Sequence, residues 1–112
     1  MDSSNLPPST PLSELIEAVA TAKDFLRRYG EVYVSNRMAE LEVRLIDGDY
    51  SAIQSALNEA RGGMGSLNDR VLSRLNGDNV EQREEEDLNQ QLRSIVELIG
   101  ARSEAALRLG FR

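Results

Sequence analysis

The residues best suited by type and spacing to bind a ligand lie in the segment 62–69, which reads GGMGSLND. Three glycines in four positions permit backbone conformations that other residues resist, and consecutive amides in such a turn can surround an anion. Arginines stand on both sides of the segment and can donate charge-assisted hydrogen bonds. One interpretation is therefore a small-ligand or anion-binding site. Its residues would be Arg61, Gly63, Gly65, Ser66 and Arg70.

The same segment also has a purely structural interpretation. It lacks the lysine that closes a nucleotide-binding P-loop, and it follows a predicted helix rather than a strand. Ser66, Asn68 and Asp69 are residue types that commonly cap helices and form turns. The glycines would then let the preceding helix pass close to a neighbour. The sequence leaves both interpretations open.

Catalytic chemistry is hard to build from this composition. The chain has no Cys and no His, which excludes mechanisms and metal sites that depend on either residue. Ser66 therefore has no His to activate it, and Lys23 is distant in sequence. Asn68 and Asp69 could position water or Mg²⁺, but an isolated Asn-Asp pair carries little information. We expect a protein that is not an enzyme and has no cofactor or metal.

Negative charge is concentrated where the last helix is predicted to begin. The net charge is −6, and residues 78–87 hold six acids against one base. Acids stabilise the first turn of a helix, so a solvated helix start is one interpretation. The other is a docking surface on which Glu84, Glu85 and Asp87 attract a basic protein. Adjacent glutamates point about 100° apart around a helix, which argues against a metal site here.

The overall charge also limits the partners. An acidic chain without a basic stripe argues against binding to nucleic acid or to an anionic membrane. No apolar run approaches the roughly 20 residues that span a bilayer. The first eleven residues lack the basic and apolar regions of an export signal. We expect a cytoplasmic protein, whose oligomeric state stays open.

Helical periodicity dominates the chain from residue 11 onward. Thr10 followed by Pro11 is a typical helix start, and Gly30 is a typical stop, which predicts a first helix over 11–29. Apolar residues at steps of three and four predict a second helix, although residues 32–34 are also compatible with a short strand. A third helix is predicted to end near Arg61, before Gly62.

The C-terminal half predicts a short helix and a long one. The short helix would be capped by Ser66 and would carry Leu67, Val71, Leu72 and Leu75. The long last helix contains Gly100, which costs about 1 kcal/mol relative to Ala and so predicts a kink or a tight contact. The resulting fold class is all-α, an antiparallel bundle of four to five helices with a Gly-rich loop before helix 4. Residues 1–10 would be a flexible tail and 11–112 a single helical domain.

The GGMGSLND string resembles an uncharacterised family of small bacterial all-helical proteins. The resemblance covers about residues 12–105 and extends to the segments 25–30 and 84–89. By class, small acidic all-α proteins resemble the immunity proteins of bacterial toxin systems, which block a toxin by occluding it. This implies a non-enzymatic protein-binding module whose partner is a toxin domain with a basic surface. The expected contact residues are Glu84, Glu85, Asp87, Met64, Asn68 and Asp69, and the anion-binding interpretation remains the alternative.

Overall fold

The computed structural model describes residues 10–109, which contain α-helices, short 3-10 turns and no strand. The all-helical prediction is therefore confirmed, and residues 32–34 form the first turn of a helix instead of a strand. The predicted flexible tail lies, apart from Thr10, outside the described residues. The α-helices of the described part are α1 (Pro11–Arg28), α2 (Val32–Ile46), α3 (Ser51–Arg61) and α4 (Glu85–Leu109). The 3-10 turns, all between α3 and α4, are Leu67–Asp69, Arg74–Asn76 and Gln82–Glu84.

Helix α1 begins and ends as its sequence predicts. The Thr10 hydroxyl accepts the Ser13 amide at 3.0 Å, and the Ser13 hydroxyl accepts the Thr10 amide at 2.9 Å. These reciprocal bonds satisfy donors that the first turn would otherwise leave unpaired, and Pro11 needs no donor there. At the other end Gly30 adopts φ +90°, which a residue with a side chain resists.

The core is formed by one apolar face of each helix. Helix α1 packs against both α2 and α4, while α3 packs against α4 and, less extensively, against α2. Burial of these faces supplies the main favourable free energy of folding. The largest fully buried side chains on the helices are Leu15, Val19 and Leu26 of α1, Val34, Met38 and Leu45 of α2, Ile53 of α3, and Leu92 and Ile99 of α4.

The predicted short helix after Ser66 is wrong. The chain makes the 3-10 turn Leu67–Asp69, continues through residues 70–73 without helix, and makes a second 3-10 turn at Arg74–Asn76. Leu67 and Leu72 are both fully buried, and their five-residue spacing would place them about 140° apart on a helix. The Asn89 side chain of α4 accepts the Leu72 amide at 2.6 Å and donates to the Leu72 carbonyl at 2.9 Å. These bonds replace the helical hydrogen bonds that Leu72 gives up.

Candidate functional site

An ion pair between two helices holds the Gly-rich turn in place. Arg37 of α2 and Glu59 of α3 form two parallel hydrogen bonds of 2.9 and 2.7 Å. Arg37 also donates to the Gly65 carbonyl at 2.9 Å, and Glu59 accepts the Leu67 amide at 2.9 Å. Pairing with Glu59 raises the pKa of Arg37. Sequence reasoning missed this pair because its members lie 22 residues apart on different helices.

Two of the three amides predicted to surround an anion, those of Gly65 and Ser66, already have partners within the turn. The Gly65 amide donates to the Asp69 carboxylate at 3.3 Å, and the Ser66 amide donates to the Gly63 carbonyl at 3.0 Å. The Asn68 side chain donates to a backbone carbonyl of the same turn at 3.2 Å. Gly65 has φ +85°, the left-handed conformation that favours glycine. Asn68 and Asp69 therefore stabilise the turn, and an anion at the Gly65 amide would have to displace the Asp69 carboxylate.

One large exposed side chain stands on this turn, and another stands on α2, the helix whose Arg37 bonds to the turn. Met64 is 98% exposed, and Tyr33 of α2 is 70% exposed. The guanidinium carbon of Arg37 lies 5.6 Å from the Tyr33 ring centroid, while the same group is bonded to Gly65, the residue after Met64. We refer to Tyr33, Arg37 and Met64 as the Tyr33–Met64 surface. Sequence reasoning singled out only Met64, because Arg37 contacts the turn from another helix and Tyr33 lies beside Arg37 on that helix.

A second feature, which we call the arginine pocket, lies between α3, the Gly-rich turn and α4. Its volume is about 350 Å³. It brings together Arg61, Asn68 and Arg70, all of which the sequence singled out, and adds Arg93 of α4, which it did not. Glu97 is also among the residues that line the pocket. The apolar part of the lining consists of Ala60, Leu67, Leu92 and Val96.

Arg61 lies across Gly100 of α4. Its guanidinium is 2.7 Å from Glu104 and 4.0 Å from Glu97. A Cβ atom at position 100 would stand 2.5 Å from Nε of Arg61 and 2.9 Å from its Nη2. The tight contact that Gly100 predicts is therefore with an arginine side chain, and this arginine is already partnered by carboxylates.

The other two arginines of the pocket, Arg70 and Arg93, have fewer bonding partners than Arg61. Neither Arg70 nor Arg93 forms an ion pair with another residue of the described range 10–109. Nε of Arg70 is buried and has no hydrogen-bond partner among those residues. The charge of Arg70 lowers the pKa of Glu31, but burial of that carboxyl, together with nearby Asp78, raises its pKa overall. The pocket thus holds donors that the protein itself leaves unused.

The acidic residues at the start of α4 do not form one face. Glu85 and Asp87 are two positions apart on the helix, so their side chains point about 200° apart. Asp87 accepts a hydrogen bond from Gln91 at 3.1 Å, and Glu84 is exposed in the preceding 3-10 turn. Leu92, which lines the arginine pocket, is about 10 Å further along the helix axis than Glu85. The acids and the arginine pocket therefore lie at different positions along the axis of α4.

Within 10–109, no group of three or more Asp or Glu residues is arranged to hold a metal ion. No helix in that range has the length and apolar content needed to cross a membrane. The Ser66 hydroxyl donates to the Gly63 carbonyl at 2.7 Å, so it contributes to the turn.

Comparison of the chain with protein-family models, with curated proteins and with solved structures gives no match in any of the three.

Proposed function

We propose that this protein is a non-enzymatic protein-binding module that recognises its partner through the Tyr33–Met64 surface. The observation that carries the proposal is the exposure of Met64 beside an arginine held by two partners. Tyr, Met and Arg are enriched in the centres of protein interfaces. Because Glu59 and Gly65 already immobilise Arg37, little side-chain entropy remains to be lost there on binding.

Charge indicates the chemistry of the partner. The chain carries a net charge of −6, and Glu84, Glu85 and Asp87 begin α4. A partner with a basic surface and an apolar recess for the Met64 side chain would complement both features. Peripheral charges of this kind act mainly on the association rate. Following the resemblance to immunity proteins, the partner to test first is a bacterial toxin domain that the module occludes in the cytoplasm.

The proposal includes the antiparallel order of helices and the role of the Gly-rich loop. The connection from α1 to α2 is three residues long and that from α2 to α3 is four, which favours antiparallel neighbours. In this arrangement the loop before the last helix presents Met64, while Asn68 and Asp69 act indirectly by holding the loop.

The chain offers a matched pair of variants to test the surface. Met64 is 98% exposed and Leu75 is 97% exposed, so Met64→Ser and Leu75→Ser should each change the free energy of unfolding by no more than about 0.5 kcal/mol. A partner is first identified by crosslinking the wild-type protein in cells and is then purified. Calorimetric titration should show binding weakened at least about tenfold by Met64→Ser, as for a central interface residue, and unchanged by Leu75→Ser. Equal effects of the two variants would refute the proposed surface.

The steering role of the acids has a separate test. Replacing Glu84 and Glu85 by Gln and Asp87 by Asn should slow association with the purified partner, most strongly at low salt. The dissociation rate should stay nearly unchanged, because the acids lie outside the Tyr33–Met64 surface. Stopped-flow mixing at several salt concentrations measures both rates. An unchanged association rate would show that the acidic residues serve only the helix start.

A further inference from the structure

We propose that the arginine pocket binds a small organic oxyanion, that is, a phosphate or carboxylate group attached to an apolar body. This site is separate from the Tyr33–Met64 surface and shares no residue with it. It lies between α3, the Gly-rich turn and α4.

Unused donors argue for the oxyanion. Arg70 and Arg93 both line the pocket and form no ion pair with the other residues of the described part. Nε of Arg70 is buried without a hydrogen-bond partner there, and a buried donor without an acceptor is costly. The guanidinium group presents its donors in a planar fork that matches two oxygens of a carboxylate or phosphate. An oxyanion placed between the Arg70 and Arg93 guanidinium groups would therefore neutralise two charges that form no ion pair in the described part of the chain.

The lining argues that the oxyanion is part of a larger molecule. The apolar residues Ala60, Leu67, Leu92 and Val96 line the pocket, and of these Ala60 and Val96 keep the most exposed surface. The volume of about 350 Å³ falls within the roughly 300–1,000 Å³ that small-molecule sites occupy. A free inorganic ion would leave most of that space empty. An apolar body such as an aromatic ring would fill it and pack against the exposed parts of Ala60 and Val96.

The remaining charged groups have different roles. Arg61 is paired with Glu104 at 2.7 Å and lies over Gly100, so it forms a wall of the pocket. Glu97 lines the pocket and carries the same sign of charge as the ligand, but its side chain is 70% exposed to solvent. Solvent therefore screens its repulsion of the ligand, which should weaken binding without preventing it.

The experiment titrates four probes into the ¹⁵N-labelled protein at low ionic strength and follows the amide signals by NMR. Phenyl phosphate and benzoate carry both an oxyanion and an apolar ring, benzyl alcohol lacks the charge, and inorganic phosphate lacks the ring. We expect binding of at least one of the first two, with the largest shifts near Asn68 and Arg93. The preferred probe then identifies the group as phosphate or carboxylate. The neutral and the inorganic probe should bind at least about tenfold more weakly.

Variants decide whether the arginines are responsible. Arg93→Gln changes an exposed side chain and should keep the fold while weakening the preferred probe at least about tenfold. Arg83→Gln removes an equal charge from an exposed arginine that pairs with Glu81 outside the pocket, and it should leave binding unchanged. Glu97→Gln removes the like charge and should tighten binding about twofold or more.

Several results would overturn the proposal. The first is that neither phenyl phosphate nor benzoate binds. The second is that benzyl alcohol or inorganic phosphate binds as tightly as those two anions. The third is that Arg93→Gln and Arg83→Gln weaken binding of the preferred probe equally. None of these results concerns the Tyr33–Met64 surface, so the two proposals stand or fall separately.

Discussion

Replacing Gly100 by Ala tests whether a tertiary contact explains a glycine in the middle of α4. Glycine in a helix interior is less favourable than Ala by about 0.8–1.0 kcal/mol, so Gly100→Ala should stabilise the helix by that amount if nothing opposed it. In the folded protein the new Cβ would stand 2.5 Å from Nε of Arg61. The flexible end of Arg61 would have to move away and would lose its contact with Glu104.

The size of the opposing effect follows from exposure. Arg61 and Glu104 are both about half exposed, and ion pairs of that kind contribute about 0.2–1 kcal/mol. Gly100→Ala should therefore change the free energy of unfolding by between about −0.2 and +0.8 kcal/mol in the wild-type background, where a positive value means stabilisation. In the Arg61→Ala background the obstacle is gone, and the same substitution should stabilise by about 1 kcal/mol. The expected coupling between positions 61 and 100 is about 0.5 kcal/mol.

Urea denaturation of the wild type, the two single variants and the double variant measures this coupling. Far-UV circular dichroism checks that helix content is preserved in all four proteins. Equal effects of Gly100→Ala in both backgrounds would show that Arg61 does not lie over Gly100 in solution. A loss of stability in the Arg61→Ala background would show that another contact requires the glycine.

Three further substitutions test the contacts that hold the α3–α4 connection. Asn89→Ala removes the side chain that bonds to the amide and carbonyl of buried Leu72, so it should lower the free energy of unfolding by about 2–3 kcal/mol. Urea denaturation measures the loss, and a value under about 0.5 kcal/mol would contradict the hydrogen-bonding role. Gly65 has φ +85°, so Gly65→Ala should lower the free energy of unfolding by about 1 kcal/mol. Gly63 lies in open space without a positive φ, so the control Gly63→Ala should not destabilise the protein. Equal melting temperatures of the two variants would count against the left-handed conformation at Gly65. Glu59→Gln should lower the free energy of unfolding by about 1–3 kcal/mol and speed hydrogen exchange at the amide of Leu67. Unchanged exchange at that amide would show that Glu59 does not hold Leu67 in place.

Part of the candidate sites was predictable from local sequence. Arg61 and Arg70 flank the glycines, and both line the arginine pocket together with Asn68. Arg93 was not predictable, because its position in the pocket depends on how α4 packs against α3. The same holds for Arg37, whose contact with the Gly-rich turn comes from a helix far back in the chain.

The four α-helices of the described part could be predicted from the sequence, because the signals that begin and end them are local. A capping residue such as Thr10, a proline in the first turn, a glycine at the end and apolar steps of three and four act within a few residues, and so does each helical hydrogen bond. The path from α3 to α4 depends instead on contacts between residues far apart in the chain. There the backbone of Leu72 bonds to Asn89 of α4, and the core takes both Leu67 and Leu72, which an α-helix would place about 140° apart. Where the partners of a backbone group come from distant residues, local propensity cannot determine its conformation.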